Sequence, residues 1–376
     1  MSFSFTDEHV EFRSVLRRFL TEKSPTAEVR RLMETDDGYD PEVWRALSQE
    51  LGLTALHIPE DYGGQGFGAV ELAIALEEMG RTLLCAPYFS SIVLAATAII
   101  YGANEDQKRA LLPPIAAGEI RAALAFTEEN GRWEPGAMET EATAAGDTFE
   151  LNGVKSFVLD GHTAQQILVM ARDPGTSGND GLSLFLTSSD TAGLQRRLLK
   201  SMDATRKLAR LEFKGVKATL LGEQGAAATT FAKTLNLAVA CLANEMIGGA
   251  EALREQALDY AQMRMQFGRA ISSFQTMKHK QADMLIDVEL AKSAAYYAAA
   301  AADEEPDELP AVASLAKAGA SEAYLQTAIH TIQIHGGIGF TWDNDTHLWF
   351  KRAKSSQVFL GDANFHRERM LQCWQD

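Results

Sequence analysis

The stretch TFELNGVKSFVLDG, residues 148–161, decides the fold class, because it interrupts a chain that otherwise follows a helical period. Similar short runs, rich in β-branched and aromatic residues, are QQILVMARD at 165–173, LSLFLTSS at 182–189 and LARLEFKGVKATLLG at 208–222. Glycine, asparagine, aspartate and serine separate these runs, a pattern typical of strands joined by turns. Since no run of helix length lies between them, we expect an antiparallel β unit rather than a parallel, doubly wound sheet.

Helical periodicity dominates both flanks of this β unit. Thr6 is placed to cap a first helix, and Asp40 with Pro41 is placed to open another. Beyond Gly225, amphipathic segments at 226–265, 273–302, 310–335 and 346–374 predict a four-helix bundle. The predicted fold is mainly α with a β-domain: an N-terminal helical domain at 1–120, a middle antiparallel β-domain at 121–225 and a C-terminal four-helix bundle at 226–376.

The composition is that of an ordinary globular protein, with 46% hydrophobic and 23% charged residues among 376. A formal charge of −16 leaves no basic surplus to neutralise phosphates, so we expect no nucleic-acid partner. The three cysteines are far apart and suggest neither disulfides nor a metal site. With no signal-peptide pattern at the start and an apolar run at 91–100 too short to span a bilayer, we expect a soluble cytoplasmic protein without a membrane segment.

Two motifs in the second helical part admit either a structural or a functional interpretation. RMQFG, residues 264–268, ends a long helix, where an arginine complements the helix dipole. QIHGGIGF, residues 333–340, follows another helix with two adjacent glycines. Such glycines allow a pyrophosphate or an adenine to approach the backbone closely, although a helix C-cap and turn also need them.

Glu245 is a single acid on a helical stripe of small residues that includes Ala238, Gly248 and Gly249. Such a carboxylate either faces a cavity or is hydrogen-bonded within the bundle. In a cavity, burial would raise its pKa toward a value useful to a general base. The residues alone leave both interpretations open.

Taken together, these motifs resemble one enzyme family. PEDYGGQGFG at 59–68, ALAFTEE at 123–129, LNGVKSFVLDG at 151–161, RMQFGRAISSFQTMKHKQADM at 264–284 and QIHGGIGF occur in the order and spacing of the acyl-CoA dehydrogenases. The resemblance covers nearly the whole chain. It is closest to the branch of the pimeloyl-CoA dehydrogenase small subunit and of bacterial enzymes for long dicarboxylic or steroid side-chain thioesters, several of which work as two unlike subunits.

The resemblance implies an FAD site built from both flanks and the β-domain. Residues that match positions at the pyrophosphate and adenine half, usually offered to a neighbouring subunit's cofactor, or beside the adenosine diphosphate are Arg264, Phe267, Gln333, Gly336 and Gly337. Residues that match positions along the flavin ring are Phe126, Thr127 and Phe157. The flavin half departs from the family pattern, because Trp133 replaces a serine, Phe157 a tryptophan and Leu159 a hydrogen-bonding threonine.

The position of the catalytic base departs further from the family pattern than the flavin half does. The family places a glutamate either immediately before the glycine of the last motif or on the first bundle helix, and the matching residues here are Leu360 and Ala238. Neither side chain can take a proton. Glu245 is the leading substitute, seven residues and ~10.5 Å beyond Ala238 along the same helix. Asp362 ranks second.

The resemblance therefore implies FAD-dependent α,β-dehydrogenation of an acyl-CoA, with Glu245 as the base and electrons passed to an electron-transferring flavoprotein. It also implies a homo- or heterotetramer. The alternative is a catalytically incomplete subunit of a heteromeric acyl-CoA dehydrogenase, which supplies part of the FAD site and structural support. An acyl-CoA oxidase has the same sequence pattern.

Overall fold

The computed structural model of the protein describes residues 4–304 and 307–375. Its helices are α1 Asp7–Lys23, α2 Thr26–Met33, α3 Pro41–Arg45, α4 Ala69–Arg81, α5 Thr97–Gly102, α6 Glu105–Ala116, α7 Ala227–Met263, α8 Gln275–Glu304, α9 Leu309–His335, α10 Thr346–Val358 and α11 Ala363–Gln375. Its strands are β1 Ala122–Ala125, β2 Glu141–Ala145, β3 Thr148–Leu159, β4 Gln166–Arg172, β5 Leu182–Ser188, β6 Leu194–Leu199, β7 Leu208–Leu221, β8 Met265–Gln266 and β9 Arg269–Ala270. None of the helices within the described ranges is long and apolar enough to cross a membrane.

The chain divides into two compact units. The first consists of Met1–Arg31, Ala69–Leu84 and Val239–Asp376, and the second of Leu32–Gly68 and Cys85–Ala238. The predicted fold class, helical flanks around a β-domain, is confirmed. The predicted domain boundaries near residues 120 and 225 stay a prediction, because each compact unit combines segments from more than one of those domains.

In the second unit, β4, β2, β3, β7 and β5 close into a ring of paired strands around a core that includes Leu151, Ile167, Phe185 and Leu211. Most pairings are antiparallel, as expected. Parallel pairings of β1 and β2 with β4 are the exception to the antiparallel prediction. The β2–β3 hairpin lies between β1 and β4 in the chain and acts as the crossover that this parallel pair needs, and β3 does the same between β2 and β4.

In the first unit, helices α7 to α11 form the predicted bundle, but the predicted helix at 346–374 is wrong in one respect. It is two helices, α10 and α11, separated at Phe359–Asp362. Leu360 has φ +59° and Gly361 has φ +102°, which a continuous helix does not allow. The helical period is regular on both sides of the break, but Gly361 permits a positive φ and Asp362 can cap a following helix, so these two residues are the sequence signal for it.

Helices α4 and α7 cross at closely approaching glycines within the first unit. A Cβ on Gly80 would lie 2.0 Å from the carbonyl oxygen of Glu245, and a Cβ on Gly248 would lie 1.9 Å from that of Glu77. A Cβ on Gly249 would lie 2.4 Å from the Tyr324 hydroxyl on α9. Neighbouring helices therefore pack directly against the stripe of small residues around Glu245.

Replacing Gly248 with alanine should separate α4 from α7 and lower the free energy of unfolding by roughly 1–3 kcal/mol, as for other overpacked cores. Gly319→Ala on α9 is the matched control, because its added Cβ meets nothing within 4 Å. The better helix propensity of alanine should raise the free energy of unfolding there by roughly 0.5–1 kcal/mol. Urea unfolding measures both, and a stabilised Gly248→Ala protein would contradict the close crossing.

Candidate functional site

Arg264 and Phe267 lie on a short hairpin that follows α7. Strand β8 pairs with β9, and the two residues between them, Phe267 and Gly268, have φ +51° and +75°. Positive φ at both central residues is the geometry of a tight two-residue hairpin turn. The Phe267 side chain is 90% exposed. The hairpin thus presents an aromatic ring outward, next to the exposed Arg264.

The glycine turn after α9 borders open space. Gly336 has φ +69°, and a Cβ on either Gly336 or Gly337 would meet nothing within 4 Å. The preceding His335 stacks on Tyr260 of α7, with ring centroids 4.2 Å apart, and accepts a hydrogen bond at its carbonyl from the Tyr260 hydroxyl. This contact ties the turn to the end of α7.

An apolar cluster joins the hairpin and the glycine turn. Its buried members are Ala257, Ala261, Ile271, Met284 and Ile334, which come from α7, the turn after β9, α8 and α9. Gln333, one residue before Ile334, is exposed, and its side-chain oxygen accepts a hydrogen bond of 3.0 Å from Lys280. With its oxygen accepting from Lys280, Gln333 has amide N–H groups that could donate to a ligand.

These residues fit the adenosine diphosphate half of FAD. Arg264 and Lys280 would supply positive charge for a diphosphate, and the Gln333 amide would supply donors. The open glycines at 336 and 337 allow the backbone to approach a phosphate or an adenine. The structure thus brings together five of the residues that the resemblance implied: Arg264, Phe267, Gln333, Gly336 and Gly337.

The β-domain residues fit the flavin ring less well. Thr127 is buried, and its hydroxyl donates a 2.6 Å hydrogen bond to the carbonyl of Ser156. In this geometry the hydroxyl proton is used within the chain. Phe126 is also buried, against Phe231 at 5.0 Å and Trp133 at 6.1 Å between ring centroids. Trp133, which stands where the family has a serine, thus packs an aromatic ring beside this strand.

Phe157 is the exception on this side, because it is 46% exposed. It lies at an irregularity in the pairing of β3 with β7, where the register shifts between Lys155 and Val158, and it has φ +60°. A non-glycine residue in this conformation is uncommon and marks a backbone that its surroundings hold in place. The exposed ring keeps the aromatic face that the resemblance implied.

A buried ion pair that the sequence analysis did not predict holds this region. The ammonium of Lys155 lies 2.7 Å from Glu128, whose carboxylate also accepts hydrogen bonds from Thr140. Burial lowers the pKa of Lys155 to about 8, although the Glu128 charge opposes the shift. Burial alone would raise the pKa of Glu128, but Lys155 and the hydrogen bonds outweigh it and lower that pKa. The pair fixes the chain beside Thr127.

Glu245, the leading candidate for the base, forms an ion pair inside the bundle. Its carboxylate lies 2.7 Å from the guanidinium of Arg352 on α10, and both side chains are buried. The two residues are 107 positions apart, so no local sequence pattern connects them. Since the small residues around Glu245 pack against α4 and α9, the cavity interpretation has no support at those positions.

Leu360, at the position of the family's usual base, lies in a rigid break between α10 and α11. The fully buried ammonium of Lys317 on α9 donates hydrogen bonds to the carbonyl of Gly361 at 2.7 Å and to that of Gln357 at 3.2 Å. The buried His366 donates to the carbonyl of Leu360 at 2.8 Å. Lys317 is the one charged residue in the sequence AKAGA, and this isolated charge among small residues is the sequence signal for a buried lysine.

Asp362, the second candidate for the base, caps α11. Its carboxylate oxygen accepts a 2.8 Å hydrogen bond from the backbone N–H of Phe365. A side-chain oxygen that binds the N–H three residues on is the usual arrangement at a helix N-terminus.

The chain matches three family descriptions: the acyl-CoA dehydrogenase N-terminal domain over residues 6–119, the middle domain over 123–216 and the C-terminal domain over 193–373. The chain belongs to the acyl-CoA dehydrogenase family. This confirms the resemblance and assigns the chain to the FAD-dependent oxidoreductases that act on acyl-CoA thioesters.

Individual relatives agree with this assignment. Acyl-CoA dehydrogenase IpdE2 of Mycobacterium tuberculosis is 32% identical over 94% of this chain and 93% of its own length. The structure of butyryl-CoA dehydrogenase from Megasphaera elsdenii matches with a TM-score of 0.93 at 27% identity, over 100% of both chains. A chain of the ChsE4–ChsE5 complex from Mycobacterium tuberculosis matches with a TM-score of 0.90 at 25% identity, over 100% of this chain and 99% of that one.

Replacing Lys317 with methionine should lower the free energy of unfolding by roughly 2–4 kcal/mol, because the carbonyls at the break lose their charged donor. Lys233→Met is the matched control, since Lys233 is exposed on α7, and it should change stability by less than about 0.5 kcal/mol. Urea unfolding of both variants is the measurement. Equal stabilities would show that Lys317 does not hold the break.

Acid should destabilise the protein through His366. Burial, with the Lys317 charge adding to it, lowers the pKa of His366 to about 3. The unfolded chain binds this proton at its ordinary pKa of about 6.5, so stability is lost as the pH falls from about 6.5 toward 3. His366→Gln should flatten the dependence of unfolding free energy on pH by up to ~1.4 kcal/mol per pH unit. Unfolding series between pH 4 and 7 test this, and an unchanged slope would contradict it.

Proposed function

We propose that this chain is one subunit of a heteromeric, FAD-dependent acyl-CoA dehydrogenase, and that an unlike subunit supplies the catalytic carboxylate. In this arrangement the chain contributes Arg264, Phe267, Gln333 and the glycine turn to the adenosine diphosphate half of the cofactor site. The observation that carries the proposal is the buried ion pair between Glu245 and Arg352.

The ion pair argues against Glu245 as the base for a physical reason. If Glu245 took a proton from a substrate, its negative charge would disappear opposite a buried guanidinium. Losing one partner of a buried pair costs roughly 3–5 kcal/mol. Leu360 and Ala238, at the family's two base positions, cannot take the proton, and Asp362 is engaged as a helix cap.

The reaction proposed for the assembled enzyme is α,β-dehydrogenation of an acyl-CoA. A carboxylate of the unlike subunit removes the α-proton of the thioester, and this chain binds and orients part of the cofactor. FAD, when bound, supplies the acceptor for the β-hydride. The electrons are proposed to leave to an electron-transferring flavoprotein, and the acyl group is proposed to be long, dicarboxylic or steroid-like, as in the branch that the sequence resembles.

Two further observations on the cofactor site support the same assignment of roles to the two unlike subunits. The adenosine diphosphate residues are open, whereas Phe126 is covered by Trp133 and Phe231 and the Thr127 hydroxyl is engaged by Ser156. A chain that lends one half of a cofactor site needs only that half to stay accessible. The complex named for ChsE4 and ChsE5, which this chain resembles in structure, supports a heteromer.

Flavin absorbance tests the proposal. The chain is purified alone and after co-expression with acyl-CoA dehydrogenase chains of its source organism that keep the family's glutamate. We expect a colourless chain on its own and a yellow complex that acyl-CoA thioesters bleach. A yellow homotetramer that acyl-CoA bleaches would support the rival assignment of Glu245 as the base.

A double substitution separates a structural Glu245 from a catalytic one. Glu245→Leu alone should lower the free energy of unfolding by roughly 3–5 kcal/mol, because the buried Arg352 loses the Glu245 charge that lies 2.7 Å from it. Adding Arg352→Met should restore most of the loss, since an apolar pair of similar volume replaces the ions. We expect the complex with the double variant to be bleached at the wild-type rate. Recovered stability with bleaching slowed by about 100-fold or more would identify Glu245 as the base.

A further inference from the structure

Arg30, near the end of α2, binds the loop 341–345, which joins the glycine turn to α10. Its Nε donates a 2.7 Å hydrogen bond to the Asp345 carboxylate, and its Nη2 donates a 3.0 Å hydrogen bond to the carbonyl of Asn344. Both donors belong to one rigid guanidinium, so they fix the direction of the loop as well as its distance from α2. Arg30 is 315 positions from Asp345, and both lie in the first compact unit.

Two further hydrogen bonds connect this attachment to the glycine turn. The side-chain oxygen of Asn344 accepts a 2.9 Å hydrogen bond from the backbone N–H of Thr346. The buried hydroxyl of Thr346 donates a 2.9 Å hydrogen bond to the carbonyl of Gly339. Gly339 is tightly packed, because a Cβ there would lie 2.9 Å from the Cβ of His335. Arg30 is therefore linked, through the loop and the start of α10, to the closed end of the glycine turn.

The other end of the glycine turn is open. A Cβ on Gly336 or Gly337 would meet nothing within 4 Å. The loop 341–345 consists of turns and bends, and its Trp342 side chain is 63% exposed. The Arg30 guanidinium lies 5.9 Å and the Lys351 ammonium 4.4 Å from the centre of the Trp342 ring, within the range of cation–π attraction. The contacts of Arg30 therefore hold a segment that is open on its ligand side.

We infer that Arg30 is a positioning residue for the adenosine diphosphate half of FAD. It holds the glycine turn in the geometry that lets the backbone approach the diphosphate. The inference rests on the part of the proposed function that assigns Gln333, Gly336 and Gly337 to that half. A turn that is already held in place binds its ligand without the free-energy cost of ordering. If Arg30 only attached α2 to the bundle, its loss would lower stability and leave the affinity for the cofactor unchanged.

Cofactor affinity tests the inference. The complex with the glutamate-bearing subunit is stripped of its flavin and titrated with FAD, with flavin fluorescence as the signal and ADP as a competitor. Arg30→Met should raise the Kd for FAD by about tenfold. It should raise the inhibition constant of ADP by the same factor, because the loss is confined to the half that both ligands share. Arg30→Lys should recover part of the affinity, since an ammonium keeps the charge but not the paired donors.

Arg31→Met is the matched control. Arg31 is the next residue on α2 and lies 2.7 Å from Glu28 of the same helix. Its loss should leave both constants within about twofold. Thr346→Val leaves α2 unchanged and removes the hydroxyl that donates to Gly339, so it should weaken the binding of both ligands as Arg30→Met does. Thermal unfolding of the uncomplexed variants checks that each still folds.

Hydrogen–deuterium exchange of the uncomplexed chain tests the link between Arg30 and the turn. We expect amides at 338–346 to exchange faster in Arg30→Met than in the wild type, and at the wild-type rate in Arg31→Met. Equal exchange in all three proteins would contradict the inference, because the loop would then keep its order without Arg30.

The outcomes separate this inference from the proposed function. An Arg30→Met complex that binds FAD and ADP as tightly as the wild type overturns the inference and leaves the heteromer in place. Weaker binding of FAD with an unchanged inhibition constant for ADP also overturns it, because the loss then lies at the flavin ring. A yellow homotetramer of this chain would contradict the heteromer, and the same titrations on that homotetramer decide the role of Arg30. If no oligomer of this chain binds FAD, both proposals fail.

Discussion

Glu245 and Arg352 form an ion pair inside the helical bundle that joins α7 to α10. Their side chains lie 2.7 Å apart and are almost fully shielded from water. Removing two charges from water in this way costs free energy, and their mutual attraction offsets part of that cost. The pair therefore fixes α10 against α7, while the glycines at 80 and 248 let α4 approach α7 on another side. A carboxylate that stabilises a buried arginine is poorly suited to accept a proton in each catalytic cycle.

The break between α10 and α11 keeps its geometry without the chemistry that the family places there. Lys317 donates to two of its carbonyls, His366 to a third, and Asp362 caps the next helix. These bonds hold the backbone of Leu360 at positive φ, although a leucine cannot act as a base. A leucine at this position is consistent with the proposal that an unlike subunit supplies the catalytic carboxylate.

The candidate cofactor site shows the same division between its two ends. Around Arg264 and the glycine turn, the backbone is open and positive side chains are available. Around Phe126 and Thr127, aromatic rings and an internal hydrogen bond use the groups that a flavin ring would need. A buried polar group without a hydrogen-bond partner costs free energy, which favours internal partners around Phe126 and Thr127. When no ligand forms a hydrogen bond with such a group, the protein itself must supply the partner.

Local sequence patterns determined the element types, the family and the absence of the family's glutamate. Short runs rich in β-branched and aromatic residues identified the strands, helical stripes identified the bundle, and motif order identified the acyl-CoA dehydrogenases. The residues for the adenosine diphosphate half followed from motif matching, because short segments around tight turns depend on few distant contacts. The single helix expected at 346–374 was wrong, since its periodicity continues through the break that Lys317 stabilises from another helix. The sequence also did not determine the role of Glu245. Its partner is 107 residues away, and only the packing of α7 against α10 decides whether a buried carboxylate faces a substrate or an arginine.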